Sequence, residues 1–258
     1  MSFKNPHLEK KILPPVVCSL QPEQPLHSSP PPTAALIVAA GSSTRFGDDK
    51  LMVAIHGKPL ISYSLQAIAE TPSISVIILV VPPKREKEFS QMIATLDFPK
   101  LSKMTKIVTG GSSRHHSVQR GVAALPPEIR FVAIHDAARP LITPELVNLC
   151  LEKAYLHGAS SLALPVTDTL HLSDNDGCAK KTIDRKNLWA MQTPQVFRLV
   201  DLDHCLKEQL QEKFSPTDEV SALLHHGIKV HLVENREPNI KVTYPEDLAL
   251  VTALLASR

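Results

Sequence analysis

The chain has 258 residues, 43% hydrophobic and 21% charged, which is the composition of an ordinary globular protein with ample material for a buried core. A net charge of +2 and 4% aromatics offer neither a basic stripe nor a stacking platform, so no nucleic-acid partner is expected. No apolar run reaches the roughly 18–20 residues that cross a bilayer, and Cys18, Cys150, Cys178 and Cys205 include no CxxC pair, so the chain reads as a cytoplasmic protein without membrane, zinc or disulfide scaffold.

Residues 1–32 hold eight of the 22 prolines and contain no 7–15-residue apolar stretch, so they do not read as a secretory signal. A transit peptide finds weak support, because the segment lacks Arg and carries two acidic residues. It reads as a disordered or loosely attached extension, with the folded domain over 33–258.

From Thr33 onward, apolar runs of strand length alternate with helical patterns. Ala34–Ala39, Val76–Val81, Lys106–Thr109, Phe131–Ile134 and Ser161–Val166 read as strands, and Ile228–Val233 as a late one. Leu60–Ala69, Lys84–Leu96 and Ser113–Leu125 read as helices. A further helix is punctuated by Thr143 as cap, Pro144, Glu145 and a closing Gly158. Thr217 is a candidate cap for a helix ending at Gly227, and Tyr244-Pro245-Glu246-Asp247 opens the last one. Continuous apolar strands separated by helices predict a mostly parallel sheet with helices on both faces, whose ligands bind beyond the C-terminal strand ends. The stretch 169–192 breaks this rhythm. Thr169–Leu172, a turn at Asn175-Asp176-Gly177, and Lys181–Ile183 predict a projecting β-hairpin arm, which is unstable alone and expected to pack on a partner subunit.

The candidate site residues follow strands. Gly41, Ser42 and Ser43 permit close approach to main-chain N–H groups, and Arg45 and Lys50 add positive charge, which suits a phosphate cradle or equally a solvated loop. It is neither a Walker loop nor the dinucleotide GxGxxG. In His135-Asp136-Ala137-Ala138-Arg139-Pro140 the carboxylate can hold Mg²⁺ and Arg139 can grip an anion, although an Asp also caps strand-end turns. Gly110-Gly111 and Ser117 can read a base or ribose, while Ser113 caps the helix that follows. Lys241, in Asn239-Ile240-Lys241-Val242-Thr243 at the end of an apparent edge strand, points either into the cleft or to solvent.

Taken with Pro165-Val166…Asp168-Thr169, Thr182-Ile183-Asp184-Arg185, Thr193-Pro194-Gln195 and Thr217-Asp218-Glu219, these segments in this order resemble the 2-C-methyl-D-erythritol 4-phosphate cytidylyltransferases, over about Thr33 to Arg258. The resemblance implies a Rossmann-like nucleotidyltransferase fold and a homodimer exchanging its arm. Its substrates would be CTP and 2-C-methyl-D-erythritol 4-phosphate, and its cofactor Mg²⁺ or another divalent cation. By that likeness Arg45, Lys50 and Lys241 act on the reacting phosphates. Ala39, Ala40, Gly41, Ser43, Gly110, Gly111, Ser117 and Ala137 bind the nucleotide, and Asp136 ligates the metal. Arg139, Thr169, Thr193, Thr217 and, from the second subunit, Arg185 hold the methylerythritol phosphate. The chain departs from the family at Ser43, where a second Gly is usual, at Asp49 and Leu51 around Lys50, and at Leu141. The alternatives are a cytidylyltransferase for ribitol 5-phosphate, which Ala138 disfavours, and a non-catalytic nucleotide-sensing module.

Overall fold

The computed structural model describes residues 29–41, 46–47, 49–209 and 216–258. Two predicted site residues, Ser43 and Arg45, and most of the proline-rich extension lie outside the described residues. In chain order the elements are β1 (Thr33–Val38), β2 (Ala54–Ile55), β3 (Lys58–Pro59), α1 (Leu60–Glu70), β4 (Ile74–Val81), α2 (Glu86–Thr95), α3 (Pro99–Met104), β5 (Thr105–Thr109) and α4 (Arg114–Ala123). There follow β6 (Phe131–Asp136), α5 (Pro144–His157), β7 (Ala159–Pro165), β8 (Leu170–Ser173), β9 (Ala179–Ile183), β10 (Trp189–Arg198), α6 (Leu199–Glu208), α7 (Glu219–His225), β11 (His231–Glu234) and α8 (Pro245–Ala256).

Among the described residues the main sheet has seven strands in the order β11-β7-β10-β6-β1-β4-β5. All pairs are parallel except those of β10, which runs antiparallel to both β6 and β7. Successive side chains of β1 feed opposite cores, as period-two geometry requires. Ile37 packs with Leu60, Phe89 and Val147 on one face, and Leu36 with Val118, Leu202 and Leu223 on the other. Helices therefore cover both faces, and strands buried on both sides carry continuous apolar sequence.

The register sets the position of the site. Val38 lies opposite both Val80 and Asp136, so β1, β4 and β6 end level with one another and release their following loops at one edge. Thr143 and Ser113 cap α5 and α4 as expected, accepting from the backbone of Leu146 and His116. The expected Thr217 cap is corrected: Asp218 caps α7, accepting from Ser221 N–H at 2.9 Å, since a carboxylate one residue on reaches the orphan donor. Asn239–Thr243 is irregular backbone rather than the end of a strand. The arm forms as its own two-stranded sheet, β8 with β9. The helices α3 and α6 and the ten-residue β10 have no counterpart in the sequence reading.

The helix α4 approaches the sheet at Gly121, where an added Cβ would stand 2.3 Å from Leu36 Cδ1 and 3.0 Å from Val80 Cγ2. Gly121→Ala is expected to lower stability by about 1–3 kcal/mol through overpacking, read as an earlier urea midpoint; an unchanged midpoint would show that α4 can lift off without cost.

Candidate active site

The loop Ala39-Ala40-Gly41 continues from β1, with Ala39 N–H donating to Val80 O at 2.8 Å. Beside it β5 runs out into Gly110, whose N–H donates to Val81 O at 2.7 Å. These two exits are packed so closely that a Cβ on Gly110 would lie 2.4 Å from Ala40 Cβ and 2.9 Å from Ser117 Oγ. Gly111 N–H donates to Ser117 Oγ at 3.1 Å, and that hydroxyl donates to Ser113 O at 2.8 Å. Ser117 thus folds the glycine pair back onto the first turn of α4.

Asp136 is the last residue of β6 and is nearly buried. Its Oδ2 receives Lys241 Nζ at 2.8 Å and lies 3.6 Å from Arg139 Nε; its Oδ1 lies 3.6 Å from Arg114 Nε. Burial by itself pushes the carboxyl up, but the Lys241, Arg114 and Arg139 charges outweigh it and hold Asp136 well below the usual carboxylate range. The group is an anion at any physiological pH.

The backbone of Asp136 is fixed by a neutral neighbour. Its N–H donates to Thr193 Oγ1 at 3.1 Å, and Thr193 Oγ1 stands 3.0 Å from His135 Nδ1. His135 Nε2 faces Arg139 O at 3.3 Å. This set is consistent in one arrangement: Nε2–H donates to the carbonyl, and Nδ1 accepts from the Thr193 hydroxyl, which itself accepts from Asp136 N–H. Burial, aided by the Arg139 charge, lowers the His135 imidazole to about 4, so it is neutral near pH 7.

The segment 239–243 crosses these loops and binds several of them. Asn239 O accepts from Arg139 Nη1 at 2.8 Å, Val242 N–H donates to Ala138 O at 2.9 Å, and Val242 O accepts from Lys50 Nζ at 2.7 Å. Asp247 Oδ2 in the first turn of α8 accepts from the N–H groups of Thr243 and Tyr244, at 2.7 and 2.8 Å, and fixes the segment's end. Lys50, Lys241 and Asp136, distant in sequence, thereby line one pocket of about 310 Å³ together with Ala39, Ala40, Gly41, Gly111, Ser113, Arg114 and Ser117. This volume falls at the lower end of small-molecule sites.

The other predicted residues are placed differently. Gly110 and Ala137 stand behind the pocket wall; Ala137 is buried and its N–H donates to Val38 O at 3.2 Å. The Thr193 hydroxyl is committed to His135 and Asp136. Arg139 is engaged by Asp136 and Asn239. Thr169, Arg185 and Thr217 are exposed and are not among the lining residues; the Arg185 guanidinium donates to Thr167 O, in the segment that leads into its own arm. Sequence reasoning missed the pair of Arg114 and the fully buried Glu219, in contact at 2.6 and 2.8 Å. Each opens a helix, which is visible in the sequence, but nothing there announces that the two meet.

Among the described residues no three His, Cys, Asp or Glu side chains cluster to hold a metal. One ionised carboxylate in a pocket lined by cations is compatible with Mg²⁺, which is commonly bound through one or two carboxylates together with substrate phosphates. A doubly wound sheet with glycine-bearing loops, an acidic strand end and converging lysines defines a nucleotidyltransferase.

The comparison with known proteins makes this specific. The family model of 2-C-methyl-D-erythritol 4-phosphate cytidylyltransferase matches residues 33–257, and the chain belongs to that family. It is 39% identical over 222 residues to the protein of that name from Trichormus variabilis, covering 85% of this chain and 96% of the relative. With the one from Caldanaerobacter subterraneus it shares 40% over 219 residues, or 84% and 96%. Its fold superposes on the crystal structure of 4-diphosphocytidyl-2C-methyl-D-erythritol synthase from Anaerococcus prevotii with a TM-score of 0.77 at 26% identity, covering 88% and 96% of the two chains.

His135 makes a pH prediction. Its folded-state value near 4 lies below the ordinary 6.5, so its contribution to stability is complete above pH 6.5 and is lost as pH falls toward 4, by up to about 3 kcal/mol. Asp136, also held low, works in the same direction at lower pH; Glu219, raised chiefly by burial, works in the opposite one. Imidazole NMR is expected to show His135 neutral at pH 5; a midpoint near 6.5 would contradict the arrangement.

Proposed function

We propose that this chain transfers the cytidylyl group of CTP to 2-C-methyl-D-erythritol 4-phosphate, releasing pyrophosphate and forming 4-diphosphocytidyl-2-C-methyl-D-erythritol for isoprenoid precursor synthesis, with the cytoplasm as its setting. The observation that carries this reading is the ionised Asp136 at a strand end, faced by Lys241 and Arg114 in a pocket that Lys50 shares, in a chain of this family.

The second pKa of a phosphate monoester is about 6, so the attacking phosphate is mostly dianionic near neutral pH and needs no general base. One of its oxygens attacks the α-phosphorus in line, and the bond to the bridging oxygen of pyrophosphate breaks. The chain's task is to position the two substrates and to offset charge that builds on the α-phosphate and the leaving group. Lys50 and Lys241 supply positive charge; Arg45 and Ser43 are assigned to the same phosphates in this reading. Gly111 in the pocket wall and Gly110 behind it are assigned to the nucleoside in this reading, and Ser117 shapes that wall. Asp136 would hold Mg²⁺, which supplies Lewis acidity to the phosphate oxygens.

The second substrate is assigned to Arg139, Thr169, Thr193, Thr217 and Arg185, with Thr193 acting through the Asp136 backbone that its committed hydroxyl fixes, and this assignment requires a homodimer. Every residue of the arm's two strands except Ile183 is exposed, including Leu170 and Leu172 at 37% and 53%. An isolated two-stranded sheet is marginal in water, so cover from a second copy is the simplest stabilisation, and it would carry Arg185 into that copy's site.

Pyrophosphate release with CTP and Mg²⁺ is expected with methylerythritol phosphate and not with ribitol 5-phosphate; the opposite preference would reassign the substrate. Lys50→Ala is expected to reduce kcat by roughly 100-fold in folded protein, and near wild-type turnover would remove Lys50 from the reaction. Mixing inactive Arg185→Ala with inactive Lys50→Ala subunits should restore part of the activity. No recovery despite demonstrated subunit exchange would argue against the exchanged arm.

A further inference from the structure

Arg114 and Glu219 stand 105 residues apart in sequence, at the first positions of α4 and α7. Arg114 Nη1 donates to both Glu219 oxygens, at 2.6 and 2.8 Å, and the Glu219 side chain is only 2% exposed. The opposite edge of the guanidinium, Nε, faces Asp136 Oδ1 at 3.6 Å. Glu219 is itself well seated. The preceding Asp218 caps α7 and accepts from Gln195 Nε2 at 2.8 Å, which ties the start of the helix to β10.

The cations around the pocket are held in different ways. Lys241 reaches Asp136 from a side chain that is 39% exposed, on a flexible four-carbon stem. Arg114 is instead clamped by a buried carboxylate, and its planar fork cannot leave Glu219 without leaving a buried charge unpaired, a costly outcome. A cation this firmly held, beside the carboxylate that Lys241 also reaches, is preorganised for charge that develops in that place.

We propose that Arg114 is a further nucleotide-contacting residue of this site, directed at the phosphate that lies nearest Asp136, and that Glu219 is the positioning residue that fixes it there. The inference rests on the reading of the pocket as a CTP site. Lys241 reaches the site on a partly exposed, flexible stem, whereas Arg114 stays in place as a permanent positive wall beside Asp136. Glu219 touches no substrate and acts only through the guanidinium.

A purely structural salt bridge would serve stability alone, so the test separates stability from turnover. Arg114→Gln, Glu219→Gln and the double substitution are compared by thermal melting, by calorimetric titration with CTP, and by steady-state kinetics. Arg114→Gln strands the buried Glu219 charge and Glu219→Gln leaves Arg114 with Asp136 alone; each is expected to lower Tm, by up to roughly 10 °C, and the double substitution removes both charges and should recover most of that loss. Turnover should behave otherwise. Arg114→Gln and Glu219→Gln are each expected to lower kcat by roughly 100-fold, and the double substitution should be no worse than Arg114→Gln and no better. Glu219→Asp should restore part of the activity. Recovery of kcat together with Tm in the double variant would overturn the proposal, as would single variants with unchanged kcat or losses that multiply. Failure of the wild-type protein to bind CTP would instead overturn the reading of the pocket, which keeps the two failures distinct.

Discussion

Everything in the site turns on one buried carboxylate in contact with three cations. A carboxylate moved out of water alone would cost several kcal/mol and would take up a proton. Asp136 does neither, because Lys241, Arg139 and Arg114 approach it from both of its oxygens. The three cations come from three places in the chain, so the charge balance of one residue joins the β6 exit, the start of α4 and the segment before α8. Removing the carboxylate would leave the nearly buried Arg139 without its counter-charge, and this links the stability of the fold to the integrity of the site.

Neutral scaffolding makes the charged arrangement possible. His135 could have placed another positive charge beside Arg139; burial keeps it uncharged, and it spends both ring nitrogens on Thr193 and the Arg139 carbonyl. Ser64 adds a hydroxyl that reaches the carbonyls of Ala137 and Arg139 at 3.2 and 3.1 Å. The turn after β6 is thus held by hydrogen bonds that do not change with pH near neutrality, while the charges above it are free to answer a polyanionic ligand. This division suits phosphoryl transfer, where the protein contributes chiefly position and positive potential.

Much of this was legible in the sequence. Uniform apolar strands, the Thr143-Pro144 and Ser113 helix starts, and the hairpin turn at Asn175–Gly177 follow from local rules, and the structure carries them. The strand-end rule placed Gly41, Gly110 and Asp136 together because parallel strands of one sheet end on one edge. β10 escaped notice because Gln192, Thr193, Pro194 and Gln195 interrupt its apolar pattern, yet it lies between β6 and β7, and Thr193 and Gln195 serve the site by hydrogen bonding. Asn239–Thr243 reads as strand for the opposite reason. Its β-branched residues promise a ladder, but its hydrogen bonds go to Ala138, Arg139, Lys50 and Asp247. The pairing of Arg114 with Glu219 depends on two helix starts meeting in space, which no local pattern encodes.

The chemistry proposed for this pocket depends on Asp136. The direct measurement is pyrophosphate release from CTP and 2-C-methyl-D-erythritol 4-phosphate by Asp136→Asn protein shown by circular dichroism to be folded at the assay temperature. The amide keeps the shape and removes the charge that three cations surround. A loss of kcat of at least roughly 100-fold is predicted, and turnover close to that of the unsubstituted protein would contradict the central place given to this carboxylate.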